Sequence, residues 1–499
     1  MISRRSFLTM SAGTAALVAA GSTLTSCSAG APAPESFDRE LPIPPAADST
    51  VVDGVRVFHL TAQEGESEIL PGKKTTTWGF NGPHFGPTVV AARGERVRLE
   101  FENGLDEMTT MHIHGMKLPA VMDGGPHSPI EPGETWSTEF TIDQPAATVW
   151  YHPHPHEATG LHAYRGLAGG FAITDDDMPD IPATYGVDDV PLIIQDHRFN
   201  DDGSFDETDL PDLGLIGDTP NINGCTNPVF HATTSQVRFR LVNGSNMRFH
   251  NLSLSDDRPF TVVATDTGFL PHPVEVTTLP IGPGERFEIL VDLEQGEDIF
   301  LRSVGFPDRM GLPKDDSVPD FGVEDTFYLL RIVGPEEALP PREIPDPLIA
   351  AEDIVPETGF ERSFALNTFE INGEHMDMQR VDFVIDHDKP ELWTVTNENS
   401  DWIHNFHIHD ASFKVIEAPE SDEVWTQGWK DTVTIPPEKT VKLAVTFGHY
   451  PDPQWPYMYH CHMLYHEDNG MMGQFVITEP GGQPAETLGS GISHERHHG

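Results

Sequence analysis

An all-β chain of three β-sandwich domains of one type is predicted by an internal repeat, by the turn residues and by the lack of any long helical period. The repeat is Ile130-Glu-Pro-Gly-Glu-Thr-Trp-Ser-Thr-Glu-Phe-Thr-Ile142, echoed by Ile281-Gly-Pro-Gly-Glu-Arg-Phe-Glu-Ile-Leu-Val-Asp-Leu293. A looser third copy is Ile435-Pro-Pro-Glu-Lys-Thr-Val-Lys-Leu-Ala-Val-Thr-Phe447. Each is a Pro turn feeding a strand of alternating character. Upstream of each lies another strand that ends on an Asn: Val97 to Asn103, Val237 to Asn243 and Leu392 to Asn397. Forty-four Gly and 44 Pro among 499 residues favour many turns and short strands. At roughly 150 residues per domain the length also fits about three domains.

In chain order, residues 1–27 read as an address. Ser3-Arg4-Arg5-Ser6-Phe7-Leu8 is a twin-arginine pattern, and the Ser-, Gly- and Ala-rich stretch after it is too weakly apolar for a permanent membrane helix. Leu24-Thr25-Ser26-Cys27 resembles a lipoprotein cleavage box, which would leave a lipid on Cys27 as the only membrane attachment. The alternative is a simple signal with an incidental Cys. Export by the twin-arginine route to the periplasm or cell surface is expected. Residues 28–48, rich in Ala and Pro, read as a tether. The three sandwiches then occupy 49–180, 181–340 and 341–480. Their boundaries fall near the acidic Asp175-Asp176-Asp177 and in the Pro-rich stretch Pro335 to Pro356. Residues 481–499, ending His497-His498-Gly499, read as a flexible tail.

Composition excludes other classes. Thirty Lys and Arg stand against 79 Asp and Glu, a formal net charge of −49, so a polyanion such as nucleic acid is no partner. A hydrophobic content of 37% is too rich for a disordered acidic chain. Three Cys cannot form a disulfide framework. The carboxylates instead coat the surface of an exported protein, where they favour solubility and attract cations.

Chemistry sits in four histidine clusters: His112-Ile-His114-Gly115, His152-Pro-His154, His404-Asn-Phe-His407-Ile-His409, and His460-Cys461-His462 with His466 and Met471 behind it. In a strand, residues i and i+2 share a face, so each His-x-His presents two imidazoles side by side. One such pair arises by chance; four in one chain, two in the first repeat and two in the last, point to metal. The triplet is the most specific element. Alternation turns Cys461 to one face and its two neighbours to the other, so one strand end touches two metal centres. A thiolate, two imidazoles and a distant thioether is the ligand set of a blue copper site. Cys461, His466 and Met471 supply three of these, and His404 is the natural second imidazole.

With these motifs the sequence resembles the multicopper oxidases, in particular the three-domain bacterial laccases and periplasmic cuprous oxidases. Trp150-Tyr-His-Pro-His154, Asp123-Gly-Gly-Pro126, Asp143-Gln-Pro-Ala-Ala147 and Gly166-Leu-Ala-Gly169 carry the resemblance further. It implies cupredoxin-like Greek-key sandwiches and four copper ions. Type 1 copper would take His404, Cys461, His466 and Met471, and type 2 copper His112 and His407. The type 3 pair would take His114, His152, His154, His409, His460 and His462. The cluster would lie between the first and third domains, with the middle domain, which offers only His250-Asn251, a copper-free wall. The resemblance casts His466 as the ligand nearest solvent and Asp123 and Glu467 as proton donors. His156 is not a ligand in this pattern, and Cys225 reads as a structural thiol.

The implied activity couples one-electron oxidation of four substrate equivalents to reduction of O2 to two waters, in a chain expected to be a monomer. No Met-rich insertion leads into the third domain, and Trp402 stands where cuprous oxidases place a thioether. Phenols and aromatic amines are therefore favoured as substrates, with oxidation of Cu(I), Fe(II) or Mn(II) the alternative. A remote alternative is an exported scaffold of the same fold. Such relatives lack copper ligands, and none is missing here.

Overall fold

The repeat exists because three asparagines tie the same knot. In each domain the strand that ends on Asn pairs antiparallel with the strand that follows the Pro turn. These pairs are Arg96–Asn103 with Thr135–Thr141, Gln236–Asn243 with Arg286–Asp292, and Glu391–Asn397 with Thr440–Phe447. The buried Asn103, Asn243 and Asn397 side chains donate to the carbonyls of Ile130, Ile281 and Ile435, at 2.8, 2.9 and 3.0 Å. Each accepts from the backbone N–H two residues on, at 2.9–3.0 Å. A hydrophobic residue in that place would leave buried backbone groups without partners.

The computed structural model describes residues 36–315, 317–350, 355–418 and 427–489. Its six sheets fall into three pairs, as two-sheet domains require. The first pair has five and four strands between Ser49 and Thr174, the second six and six, and the third six and five strands between Phe360 and Thr478. Parallel neighbours recur in the same place. Val55–Ser67 runs parallel to Arg96–Asn103, Asp189–His197 to Gln236–Asn243, and Phe360–Asn367 to Glu391–Asn397. This is a Greek-key sandwich rather than a meander. Among the described residues the two α-helices are short, Thr159–Tyr164 and Leu464–Asp468, and no helix is long and apolar enough to cross a membrane. Asp468 joins the two helices by accepting from the Thr159 and Gly160 N–H groups at 2.9 and 2.8 Å.

The middle and third domains share one continuous apolar core, while the first has its own, built around Phe58, Phe101 and Phe171. Phe85, Trp150, Ile193 and Val242 close the seam between the first two.

Two expectations change at the ends. From Ser36 to Asp48 the chain is not a free tether. Phe37 and Leu41 are buried, Arg39–Glu40 adds a parallel strand to Pro228–His231, and the Ala47 N–H donates to the Thr88 carbonyl. Nor is the tail free as far as Gly489. Leu488 is buried, and Ala485 and Gly489 donate to the Pro453 and Gln454 carbonyls at 2.8 and 3.1 Å. Both segments satisfy backbone groups that an open sheet edge would leave exposed. The twin-arginine motif, Cys27 and the tail histidines from His494 lie outside the described residues.

Candidate metal centres

Strand register brings the histidines together. His112–His114 pairs antiparallel with Ala147–His152 so that His112 lies opposite His152. In the third domain His404–Ile408 pairs with Asp452–His460 so that His407 lies opposite His460. The two pairs meet face to face between the domains: His112 stacks on His409 at 3.9 Å between ring centroids, and His114 on His407 at 3.8 Å. All eight imidazoles predicted for the cluster are buried in this cage.

Nitrogen positions divide the cage. His114, His152 and His462 converge in one triad, His154, His409 and His460 in another, and His112 and His407 meet next to His114. His462 Nε2 is 3.2 Å from His114 Nδ1, and His460 Nε2 is 3.2 and 3.3 Å from the Nε2 atoms of His409 and His154.

The other ring nitrogens explain what the convergence is for. His112, His152 and His407 donate Nδ1–H to the carbonyls of Asp123, Pro153 and Asp431 at 2.8, 2.8 and 2.9 Å. That tautomer leaves each Nε2 with a lone pair, buried and without a hydrogen-bond partner. Buried acceptors of this kind are costly unless something takes the lone pair, and a metal ion does. Burial holds the imidazoles neutral, the form a metal requires: the His152 pKa falls to about 3 and that of His154 to about 4. The donor set therefore fits a metal ion such as copper.

Three carboxylates stand behind the rings. Asp123 Oδ2 lies 2.6 Å from His409 Nδ1, held by a turn in which Gly124 is required: its φ is +76°, and a Cβ would lie 1.8 Å from the Met111 carbonyl. Glu467 spans two rings, 3.3 Å from His154 Nδ1 and 3.1 Å from His460 Nδ1. Burial drives the Asp123 carboxyl well above the ordinary carboxylate range, and Asp410 adds to it. For Glu467 burial acts the same way, but His154 and His460 outweigh it and hold that carboxyl below the range. The third is Asp431, 3.1 Å from His114 Nε2. Sequence reasoning missed it, because it lies outside every His-x-His motif and is marked only by its place just before the strand Thr432–Ile435.

Cys461 opens on the other side of its strand end. Its sulfur lies 3.7 Å from His404 Nδ1 and 3.5 Å from His466 Nδ1. His404 donates Nε2–H to Asn399 at 2.8 Å, which aims the Nδ1 lone pair at the sulfur. Met471 is buried beside them, its carbonyl accepting from the Cys461 N–H at 3.2 Å. Burial pushes the Cys461 thiol up to about 12, so only a neighbouring cation would hold it as thiolate. Asn405, also unforeseen, accepts from the Cys461 thiol at 3.4 Å and the His462 N–H at 2.6 Å, and donates to Pro283 of the middle domain at 2.8 Å.

One expectation is corrected here. His466 is not near solvent; it is fully buried. Trp402 stacks on it at 5.0 Å and 22°, and Phe369 and Phe321 stand edge-on at 5.6 and 6.2 Å. Stacking contacts among such rings are favourable, so the lid holds itself shut. His156 is partly exposed 3.8 Å from Glu157, outside the cage. Cys225 is a buried free thiol, and His250 is buried next to Ser245 with, among the described residues, no second imidazole beside it.

Three cupredoxin-like sandwiches that close one thiol pocket and one histidine cage around a shared strand end define a polynuclear metalloprotein. Multicopper oxidase family models match residues 61–178, 172–314 and 353–481, and the chain belongs to the multicopper oxidase family. It is 34% identical to the multicopper oxidase mco of Staphylococcus aureus over 86% of this chain and 90% of that one. It is 37% identical to the cell division protein FtsP of Yersinia pestis over 88% and 92%. A laccase crystal structure from Pediococcus acidilactici superposes with a TM-score of 0.79 at 33% identity, covering 90% of this chain and 95% of that one.

Proposed function

We propose that this chain is a laccase-like oxidase that takes single electrons from phenols and aromatic amines at the Cys461 pocket and delivers them to O2 in the histidine cage. His404, Cys461, His466 and Met471 would hold the type 1 ion, and His112 and His407 the type 2 ion. The triads His114, His152, His462 and His154, His409, His460 would hold the type 3 pair. The observation that carries this reading is the strand end His460-Cys461-His462, which joins pocket to both triads through a few covalent bonds. Copper, when bound, supplies the one-electron redox chemistry that couples four substrate oxidations to reduction of O2 with four protons to two waters.

The chain's own groups do the rest. Asp123 Oδ2 and the Glu467 carboxylate both reach ring nitrogens of the triad His154, His409, His460, Asp123 at His409 and Glu467 at His154 and His460. There a protonated Asp123 can give a proton for oxygen reduction, and an ionised Glu467 can accept one and pass it on. Trp402, Phe369 and Phe321 exclude water from His466, and the partly exposed Phe369, with the edge of Trp402 behind it, offers an aromatic surface to a phenol ring. Export by the twin-arginine route, with a lipid on Cys27, belongs to the same proposal.

A second substrate class has one observation in its favour. A cleft of about 590 Å³ is lined by Asp212, Asp315 and Asp320, with Lys314 beside them and Glu324 paired to Arg309, and its Leu213 wall runs into Gly214, packed on Tyr465 beside His466. That field would draw cations such as Cu(I), Fe(II) or Mn(II). The name FtsP raises a non-catalytic role, but a scaffold has no use for buried imidazoles whose lone pairs lack partners. Copper analysis together with O2 consumption on phenols, Cu(I), Fe(II) and Mn(II) tests all three. Four coppers and phenol-driven O2 uptake are expected. Uptake with metal ions alone would transfer the function to the second class, and a copper-free chain would leave the scaffold.

A further inference from the structure

We propose that Arg286, from the domain that carries no copper ligand, is a positioning residue for the histidine cage and acts through Asp431. The proposal rests on the reading that the cage holds copper.

Asp431 touches imidazoles from both flanking domains. Its Oδ1 lies 3.1 Å from His114 Nε2, and its carbonyl accepts from His407 Nδ1 at 2.9 Å. The Thr432 hydroxyl, 3.1 Å from His407 Nδ1, donates to Asp431 Oδ1 at 2.9 Å. Unlike the rings fixed by backbone carbonyls, His114 is turned over: Nε2 faces the carboxylate and Nδ1 faces the triad. Its orientation therefore depends on where that carboxylate sits.

Arg286 decides where. Its guanidinium grips both oxygens of Asp431, at 2.7 and 2.6 Å, in the bidentate geometry that only arginine offers. The remaining N–H groups donate to the carbonyls of Gly284 at 3.1 Å, Asp266 at 2.9 Å and Thr148 of the first domain at 3.2 Å. All five donors are used, so the fork has one orientation. Arg286 and Asp431 are both fully buried. Asp266 anchors the assembly from behind: its carboxylate accepts from the Arg286, Asp431 and Thr432 N–H groups and lies 3.0 Å from Lys430 Nζ. The same turn brings Gly284 so close to His462 that a Cβ there would lie 2.7 Å from the ring. One residue of the middle domain thus fixes a carboxylate of the third that orients a histidine of the first.

Partners behind metal ligands typically govern affinity by about 10- to 100-fold. The test compares wild type, Arg286→Met, Arg286→Lys and Asp431→Asn after copper loading and dialysis against graded chelator. Copper per chain, the blue thiolate absorption and the electron paramagnetic resonance of the non-blue copper are read together. Expected for Arg286→Met and Asp431→Asn is loss of cage copper at about 10- to 100-fold less chelator, with a shifted non-blue resonance and the blue absorption intact. Arg286→Lys, which restores charge but not the fork, should fall between. Equal retention and unchanged resonances in all variants would overturn the proposal. Loss of blue and cage copper in parallel would also overturn it, since that marks general destabilisation. A wild type that takes up no copper would sink the oxidase reading and this inference with it.

Discussion

The Cys461 pocket and the histidine cage share one strand end yet are built from opposite materials. The pocket takes its candidate ligands from a single domain, orders them with the amides Asn399 and Asn405, and covers them with Trp402, Phe369 and Phe321. Among the described residues no carboxylate hydrogen-bonds to its ligands. The cage takes its rings from two domains, and three buried carboxylates touch them. The chain switches between the two twice. His460-Cys461-His462 does so where the strand Asp452–His460 ends, with His460 and His462 turned to the cage and Cys461 to the pocket. His466-Glu467 does so on a single helical turn, where His466 faces the sulfur and Glu467 the triad of His154, His409 and His460. The contrast teaches a division of labour: a dry pocket suits transfer of an electron alone, and a cage with proton-bearing groups suits formation of water.

Removing the pocket's sulfur breaks the comparison most completely. Cys461→Ser should abolish the blue absorption, lower the copper content by one ion per chain and stop substrate-driven O2 consumption. Retained blue colour would show that another group binds that copper. Removing the cage's carboxylates breaks the other half. Asp123→Asn and Glu467→Gln should each lower turnover by roughly 100-fold, the range for positioned acid–base groups, with blue absorption and copper count unchanged. Unaltered turnover would make both carboxylates mere supports for their rings.

Legibility in the sequence follows the same division. Strand alternation and short-range spacing exposed every His-x-His pair and the thiol between two of them, because side-chain period and chain proximity coincide there. The three asparagines were visible as strand ends, although their common bond to an Ile carbonyl was not. Asp431 and Arg286 were hidden for a physical reason: a bidentate pair 145 positions apart has no period, and each partner sits in a strand context that reads as ordinary. Burial of His466 was hidden too, since Phe321 reaches it from another domain. The split of six imidazoles into two triads needed coordinates, because it depends on how two sheets face each other.

Opening the lid sharpens the pocket's side of the contrast. Trp402→Leu removes an aromatic stack worth about 0.5–1.5 kcal/mol. The expected result is a fall of about 2- to 10-fold in kcat/KM for phenols, with a smaller change for an inorganic one-electron reductant. Equal losses for both would assign Trp402 to the copper site rather than to the substrate.

The smallest expected effect is the most diagnostic. Burial lowers the His404 pKa to about 3 and takes His466 well below its ordinary value, and among the described residues no carboxylate hydrogen-bonds to either ring. Nothing in the pocket therefore changes charge between about pH 6.5 and 8, given the ordinary imidazole value near 6.5. A redox titration of the blue absorption across that window should move by much less than about 59 mV per pH unit, the slope of a one-electron, one-proton couple. O2 turnover over the same window should vary, because the cage must supply protons. Below about pH 6.5 the sign is set by linkage. A folded-state pKa near 3 against about 6.5 unfolded means that the unfolded chain binds the extra proton, so pocket stability falls as acid is added toward pH 3. A potential that followed pH at the full slope would place a titrating group inside the pocket, and the division between electron site and proton site would fail.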